Sequence, residues 1–143
     1  MSASRRGEEV RRLDETAFVY PVQLVAEAVP GLAAAGVRLI VNNRPDGEEP
    51  GQPASAEIEA AARAAGLDYR HIPVGRGFPA ASVEAMAEAL ERGPALAFCR
   101  SGTRSAWLWA LARASRGAPA ETLVRQAAGA GYDLRPLLPL LRR

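Results

Sequence analysis

Sulfur and imidazole are nearly missing from this sequence, and lysine is wholly so. Its 143 residues hold one cysteine, Cys99, one histidine, His71, and two methionines. A single cysteine excludes an internal disulfide and leaves no resolving thiol within the sequence. One Cys with one His is too few for a dedicated zinc site, so no metal and no cofactor is expected. Every cation is an arginine, and the 18 of them exceed 16 carboxylates for a net charge of only +2. They are scattered, and the pairs Arg5-Arg6, Arg11-Arg12 and Arg142-Arg143 sit at the ends. Aromatics make up 6% of the chain and do not interleave with the arginines. Binding of nucleic acid by base stacking is therefore not expected. No apolar run approaches the ~18–20 residues that cross a bilayer, so no membrane partner is expected. The polar opening MSASRRGEEVRR has no apolar secretion core, which points to a cytoplasmic location. No repeat of 20–50 residues occurs, which excludes solenoids and propellers.

What the sequence does have is a globular balance, 48% hydrophobic and 24% charged. The expected organisation is a tail over residues 1–12 and one domain over 13–143. Strand patterns fall at 17–20, 37–41, 69–74 and 95–98, where β-branched and aromatic residues cluster. Helical patterns fall between them at 25–35, 55–65 and 82–92, each closed by a glycine. Ser55 and Ser82 read as helix caps. Further helices are predicted over 105–115 and 119–130, followed by a short, proline-interrupted helical tail at 134–141. Strands alternating with helices predict an α/β fold, a mostly parallel sheet with helices on both faces. In such sheets the site lies beyond the carboxyl ends of the strands. Three loops qualify: Asn42–Pro53, Gly75–Pro79 and Cys99–Arg104.

The last of these carries the chemistry. Cys99-Arg100-Ser101-Gly102-Thr103-Arg104-Ser105 places a thiol at a strand end with a helix directly after it. Gly102 is free to take a positive φ, so the turn can aim backbone N–H groups inward as an anion cradle. The helix N-terminus adds its own amides and positive dipole end. With Arg104 and Arg100, these fields are expected to favour the Cys99 thiolate over the thiol. Ser101 and Thr103 line the turn, and Ser105 is placed to donate a hydrogen bond to the sulfur. A buried structural cysteine has no use for such an arginine-flanked turn, so Cys99 is expected to be a nucleophile.

The segment resembles the active-site loops of rhodanese sulfurtransferases and, less closely, those of cysteine-dependent phosphatases. The wider set of motifs is more particular: Val41–Pro53, then Tyr69-Arg70-His71-Ile72-Pro73-Val74, then Cys99–Ser105 and Trp107-Leu108-Trp109-Ala110. In that order they are similar to the beta-lactamase-hydrolase-like, phosphatase-like domain family. The resemblance implies a cysteine-phosphatase-like α/β fold with a rhodanese-like loop. It also implies either sulfur transfer or phosphate hydrolysis, with Cys99 and Arg104 catalytic.

Cysteine phosphatases resemble one another in placing five residues between Cys and Arg, whereas only four intervene here. A shorter loop encloses a smaller cradle, which by resemblance suits a terminal sulfur. Such phosphatases also use a neighbouring Asp to protonate the leaving oxygen. The Gly75–Pro79 loop has no carboxylate, so Asp46, Glu48 or Glu49 could serve only if the Asn42–Pro53 loop folds over the site. The expectation therefore leans to a sulfurtransferase that forms a Cys99 persulfide and needs an external thiol acceptor. A phosphatase is the alternative, and a non-catalytic anion- or phosphoprotein-binding module the third reading. In each, the partner is a small sulfur- or phosphate-bearing anion.

Around that segment, Arg44 is expected as a second anion clamp and Asp46 as a pocket residue. The competing reading makes Asp46-Gly47 a plain turn with solvated glutamates. His71 reads as structural. Asn42 and Asn43 read as satisfying loop backbone groups. Trp107 and Trp109 face different sides of one helix, so at least one is core or interface, which leaves room for a homodimer.

Overall fold

The computed structural model describes residues 10–142. Residues 1–9, most of the expected tail, lie outside them. A five-stranded sheet runs through the middle: β1 (Arg11–Arg12), β2 (Ala17–Tyr20), β3 (Leu39–Asn42), β4 (Asp68–His71) and β5 (Ala95–Phe98). Its spatial order is β1-β2-β5-β3-β4, antiparallel only at β1–β2 and parallel elsewhere. The expected α/β architecture is present, with one addition. Arg11 and Arg12, assigned from sequence to the tail, form the edge strand and pair with Val19 and Phe18.

Among the described residues, six α-helices cover the sheet: α1 (Val29–Ala34), α2 (Ser55–Ala64), α3 (Ala80–Leu90), α4 (Thr103–Ser115), α5 (Ala120–Gly129) and α6 (Leu138–Leu141). Alternation along the strands sorts them into two layers. Ile40, Leu96 and Phe98 point to one face and pack with Leu24, Val29, Leu32 and Ile58 near α1 and α2. Leu39, Val41, Ala95 and Ala97 point to the other, against Met86, Leu90, Leu108, Trp109 and Leu123 of α3 to α5. The alanines of β5 on that face, Ala95 and Ala97, share a core with Leu108 and Trp109 of α4. Trp109 belongs to this core and donates its indole N–H to Asp14 Oδ2 at 2.7 Å. Arg113 of the same helix reaches that carboxylate at 2.9 Å, tying α4 to the β1–β2 turn.

Helix starts differ from the sequence expectations. Ser55 does not cap α2; it is the first helical residue, and its amide donates to Asp46 Oδ1 at 2.8 Å. Asp46 thus acts as a cap from nine residues upstream rather than as a pocket residue. Helix α3 begins at Ala80, two residues before Ser82, with Pro79 as its N-cap. Helix α4 begins at Thr103, not Ser105, with Gly102 at the N-cap. Arg104 is therefore a first-turn helical residue, and its direction is set by the helix.

Candidate active site

Strand β5 ends at Phe98 and delivers Cys99, which is 1% exposed. The chain then turns through Arg100, Ser101 and Gly102 into α4. Gly102 has φ +95°, the left-handed region that favours glycine. A side chain there would also have no room, since a Cβ would run into the Tyr132 hydroxyl and stand 2.7 Å from Val19 Cγ1. The turn lets the Gly102 amide donate to Cys99 Sγ at 3.2 Å. On the outer side, the Tyr132 hydroxyl donates to the Ser101 carbonyl at 3.0 Å. Ser101 and Thr103 are exposed, their hydroxyls 3.4 Å apart at the rim.

The three loops selected by the parallel-sheet rule meet at Arg104. Its Nη1 donates to the Val74 carbonyl at 2.9 Å, at the mouth of the Gly75–Pro79 loop. Nη1 and Nη2 also grip both oxygens of Glu48, at 2.7 and 2.9 Å, so the Asn42–Pro53 loop does fold over the site. The negative Glu48, opposed by desolvation and helped by nearby Cys99, pushes the Arg104 guanidinium pKa above its ordinary value. Glu48 in turn is carried down to about 2, chiefly by Arg104 against some burial and then by Arg44. At neutral pH it is a carboxylate with no proton to give.

Arg44 is buried, with its side chain 2% exposed. Its guanidinium is divided among Glu48 Oε1 at 2.8 Å, Glu49 Oε1 at 2.6 Å and Gln23 Oε1 at 2.8 Å. As an anion clamp it is thus already occupied by protein groups, and it acts as the post that holds both glutamates. Arg100, 71% exposed, lies 3.7 Å from Glu49. Arg44, Glu48, Glu49, Arg100 and Arg104 together line an open cavity of about 500 Å³. Its five charged side chains sum to +1, a basin suited to a small anion once Glu48 yields Arg104.

Two polar residues from sequence reasoning play supporting parts. Ser105 is fully buried and donates to Asn43 Oδ1 at 2.8 Å, not to the sulfur; one hydroxyl hydrogen cannot serve both acceptors. Asn43 also donates to the Ile72 carbonyl at 2.9 Å, so it pins α4 to the segment after β4. Asn42 accepts from the Arg44 amide and donates to the Tyr69 hydroxyl. His71 Nε2 meets the Arg44 carbonyl at 2.9 Å; that nitrogen carries the hydrogen, because a carbonyl only accepts. The Glu48 grip, Gln23 and Tyr132 were absent from the sequence expectations. Tyr132 lies 31 residues beyond Ser101, and no local pattern announces such a contact.

Among the described residues, no group of three or more His, Cys, Asp and Glu is gathered to hold a metal. None of their helices is long and apolar enough to cross a membrane.

Comparison with known proteins gives the family and the fold. Residues 9–116 match the family described as beta-lactamase hydrolase-like protein, phosphatase-like domain. A beta-lactamase hydrolase-like protein of Agrobacterium fabrum is 42% identical over 111 residues, covering 74% of this chain and 25% of the relative. One from Xylella fastidiosa is 40% identical over 115 residues, covering 78% and 27%. The chain spans about a quarter of the length of these curated relatives. Among solved structures, a candidate phosphatase of Neisseria meningitidis is 33% identical, with TM-score 0.80 over 96% of this chain and 97% of its own. PTPMT1, 15% identical with TM-score 0.69 over 93% and 91%, shows the shared fold alone.

Proposed function

The chain belongs to the beta-lactamase hydrolase-like, phosphatase-like domain family, and from that premise we propose that it is a cysteine-dependent phosphatase acting on phosphate monoesters. The observation that carries the reading is the pairing of Cys99 with a Gly102 amide on its sulfur and Arg104 in the first turn of the following helix. The thiolate attacks phosphorus, and the ester P–O bond breaks as the P–S bond forms. The leaving oxygen takes its proton from water. A second water then attacks phosphorus, the P–S bond breaks, and inorganic phosphate departs with Cys99 again a thiolate. Charge on the transferring phosphoryl oxygens falls to Arg104 and the loop amides, which are fixed before the reaction starts.

Cys99 is almost fully covered, so substrate has to take the place of the Glu48 carboxylate on Arg104. The same guanidinium fork suits either anion. An ionised Glu48 cannot protonate the leaving group, and the Gly75–Pro79 loop holds no carboxylate. Substrates with stable leaving groups, such as aryl phosphates, are therefore favoured over alkyl esters.

Two observations favour a second reading, sulfur transfer: only four residues separate Cys99 from Arg104, and Glu48, the carboxylate on Arg104, is ionised and has no proton to give. That reaction needs none. Cys99 would attack the outer sulfur of thiosulfate, sulfite would leave with the electron pair, and an external thiolate would take the sulfur from the Cys99 persulfide.

One experiment separates the two. Wild type and Cys99→Ser are each given an aryl phosphate, with and without vanadate, and each is incubated with thiosulfate before intact-mass measurement. Vanadate-sensitive release of phosphate by wild type alone supports the phosphatase. A gain of one sulfur, removable by thiol and without turnover of any aryl phosphate, replaces that reading with sulfur transfer.

A further inference from the structure

A single peptide unit connects Tyr132 to the nucleophile. The Ser101–Gly102 bond is trans, so its carbonyl and its N–H point in opposite directions across one rigid plane. The carbonyl accepts from the Tyr132 hydroxyl at 3.0 Å, and the N–H donates to Cys99 Sγ at 3.2 Å. We propose that Tyr132 is a positioning residue for Cys99, its hydroxyl clamping and polarising the Ser101–Gly102 peptide so that the amide stays aimed at the sulfur. The inference rests on the reading of Cys99 as the nucleophile, and it adds a residue outside the Cys99–Ser105 motif to the machinery.

Three further observations support it. First, the peptide needs a latch. With Gly102 in the left-handed region and free of a Cβ, the plane could otherwise turn and present its carbonyl to the sulfur, which would repel negative charge. Second, Tyr132 is itself held in place. Its amide donates to Ala127 at the end of α5 at 2.8 Å, and Trp107 of α4 donates to the next carbonyl, Asp133, at 3.2 Å. Arg11 of β1 lies 5.5 Å from the centre of the Tyr132 ring and also donates to the Ala130 carbonyl at 3.2 Å. Third, burial pushes the phenol above its ordinary 10, against the pull of Arg11 and with a push from Cys99. The hydroxyl therefore keeps its proton and remains a donor at any working pH. Hydrogen bonds in series reinforce one another, so a donor on the carbonyl strengthens the N–H as a donor to sulfur.

Tyr132→Phe removes the hydroxyl and leaves the ring. The readout is the rate constant for alkylation of Cys99 by iodoacetamide at neutral pH, where the rate is first order in reagent, with the melting temperature as a check on folding. Losing one hydrogen bond that acts through the peptide should slow alkylation about fivefold. Placing 3-fluorotyrosine at position 132 restores the hydroxyl and should restore the rate. An alkylation rate in Tyr132→Phe equal to wild type overturns the proposal. So does a loss that 3-fluorotyrosine fails to repair, since the ring's packing alone would then be responsible. Alkylation requires no turnover, so a wild type inert toward every aryl phosphate would remove the phosphatase and leave this comparison decisive.

Discussion

Replacing Glu48 by glutamine should make the enzyme bind substrate better, the opposite of what is expected for a lost active-site acid. The carboxylate holds Arg104 through two hydrogen bonds and Arg44 through a third. A carboxyl carried from 4.5 to about 2 is favoured in its charged form by about 3 kcal/mol. Its side chain is 28% exposed and borders an open cavity, so solvent screening reduces that to about 1–2 kcal/mol. An incoming phosphate has to offset this before it reaches Arg104. Glutamine keeps an acceptor oxygen but drops the charge, taking the cavity lining from +1 to +2. KM for an aryl phosphate should then fall about tenfold, the equivalent of about 1.4 kcal/mol, with kcat close to unchanged. Because Glu48 stays ionised until the pH approaches about 2, the difference should persist throughout the neutral range. Steady-state kinetics of both proteins at several ionic strengths would measure it, and added salt should narrow the gap. A fall in kcat with KM unaltered would refute the reasoning, because Glu48 would then be supplying a proton or holding Arg104 in its working position.

Other outcomes follow from the same geometry. Arg104→Lys keeps the charge but loses the two-pronged grip, and should lower kcat/KM by about a hundredfold in the same assay. Gly102→Ala combines an unfavourable left-handed backbone with a clash against Tyr132 and Val19; it should cost at least about 2 kcal/mol in chemical denaturation and abolish turnover. Asp14→Asn should lower stability by about 1–3 kcal/mol at neutral pH, by weakening the bonds from Trp109 and Arg113. Burial alone would raise the Asp14 carboxyl, but Arg113 and Trp109 prevail and set it below its ordinary 3.8. The stabilisation is therefore complete above 3.8 and disappears as pH falls through the lower folded-state value, so thermal melts of wild type and variant should converge in strong acid. A gap that widened on acidification would contradict that ordering.

The sequence expectations succeeded where the signal is local. Phe98-Cys99 at a strand end and Gly102 in the turn follow from short-range steric rules, and parallel strands follow from alternation with helices. The three loops picked out by the positions of the strand ends meet at Arg104. What failed depends on contacts distant in the chain. Ser105 closes the Cys99–Ser105 segment, yet Asn43, 62 residues away, accepts its hydrogen bond. Asp46 looked like a pocket residue because its loop approaches the site, but an uncapped helix start at Ser55 claimed it. Arg11 and Arg12 lack any strand pattern; two residues suffice because β2 offers them a free edge. The lean toward sulfur transfer rested on the four-residue spacing and on a Gly75–Pro79 loop without a carboxylate, whereas the phosphatase-like family to which the chain belongs favours phosphate chemistry.

Strand β5 is the middle strand, flanked by β2 on one side and β3 on the other, so Cys99 hangs from the part of the sheet expected to open last. Amide deuterium uptake should accordingly be slowest through Ala95–Phe98 and fast along the arm that carries Glu48. Substrate reaches the sulfur only once Glu48 leaves Arg104, while the strand that carries Cys99 stays fixed beneath it.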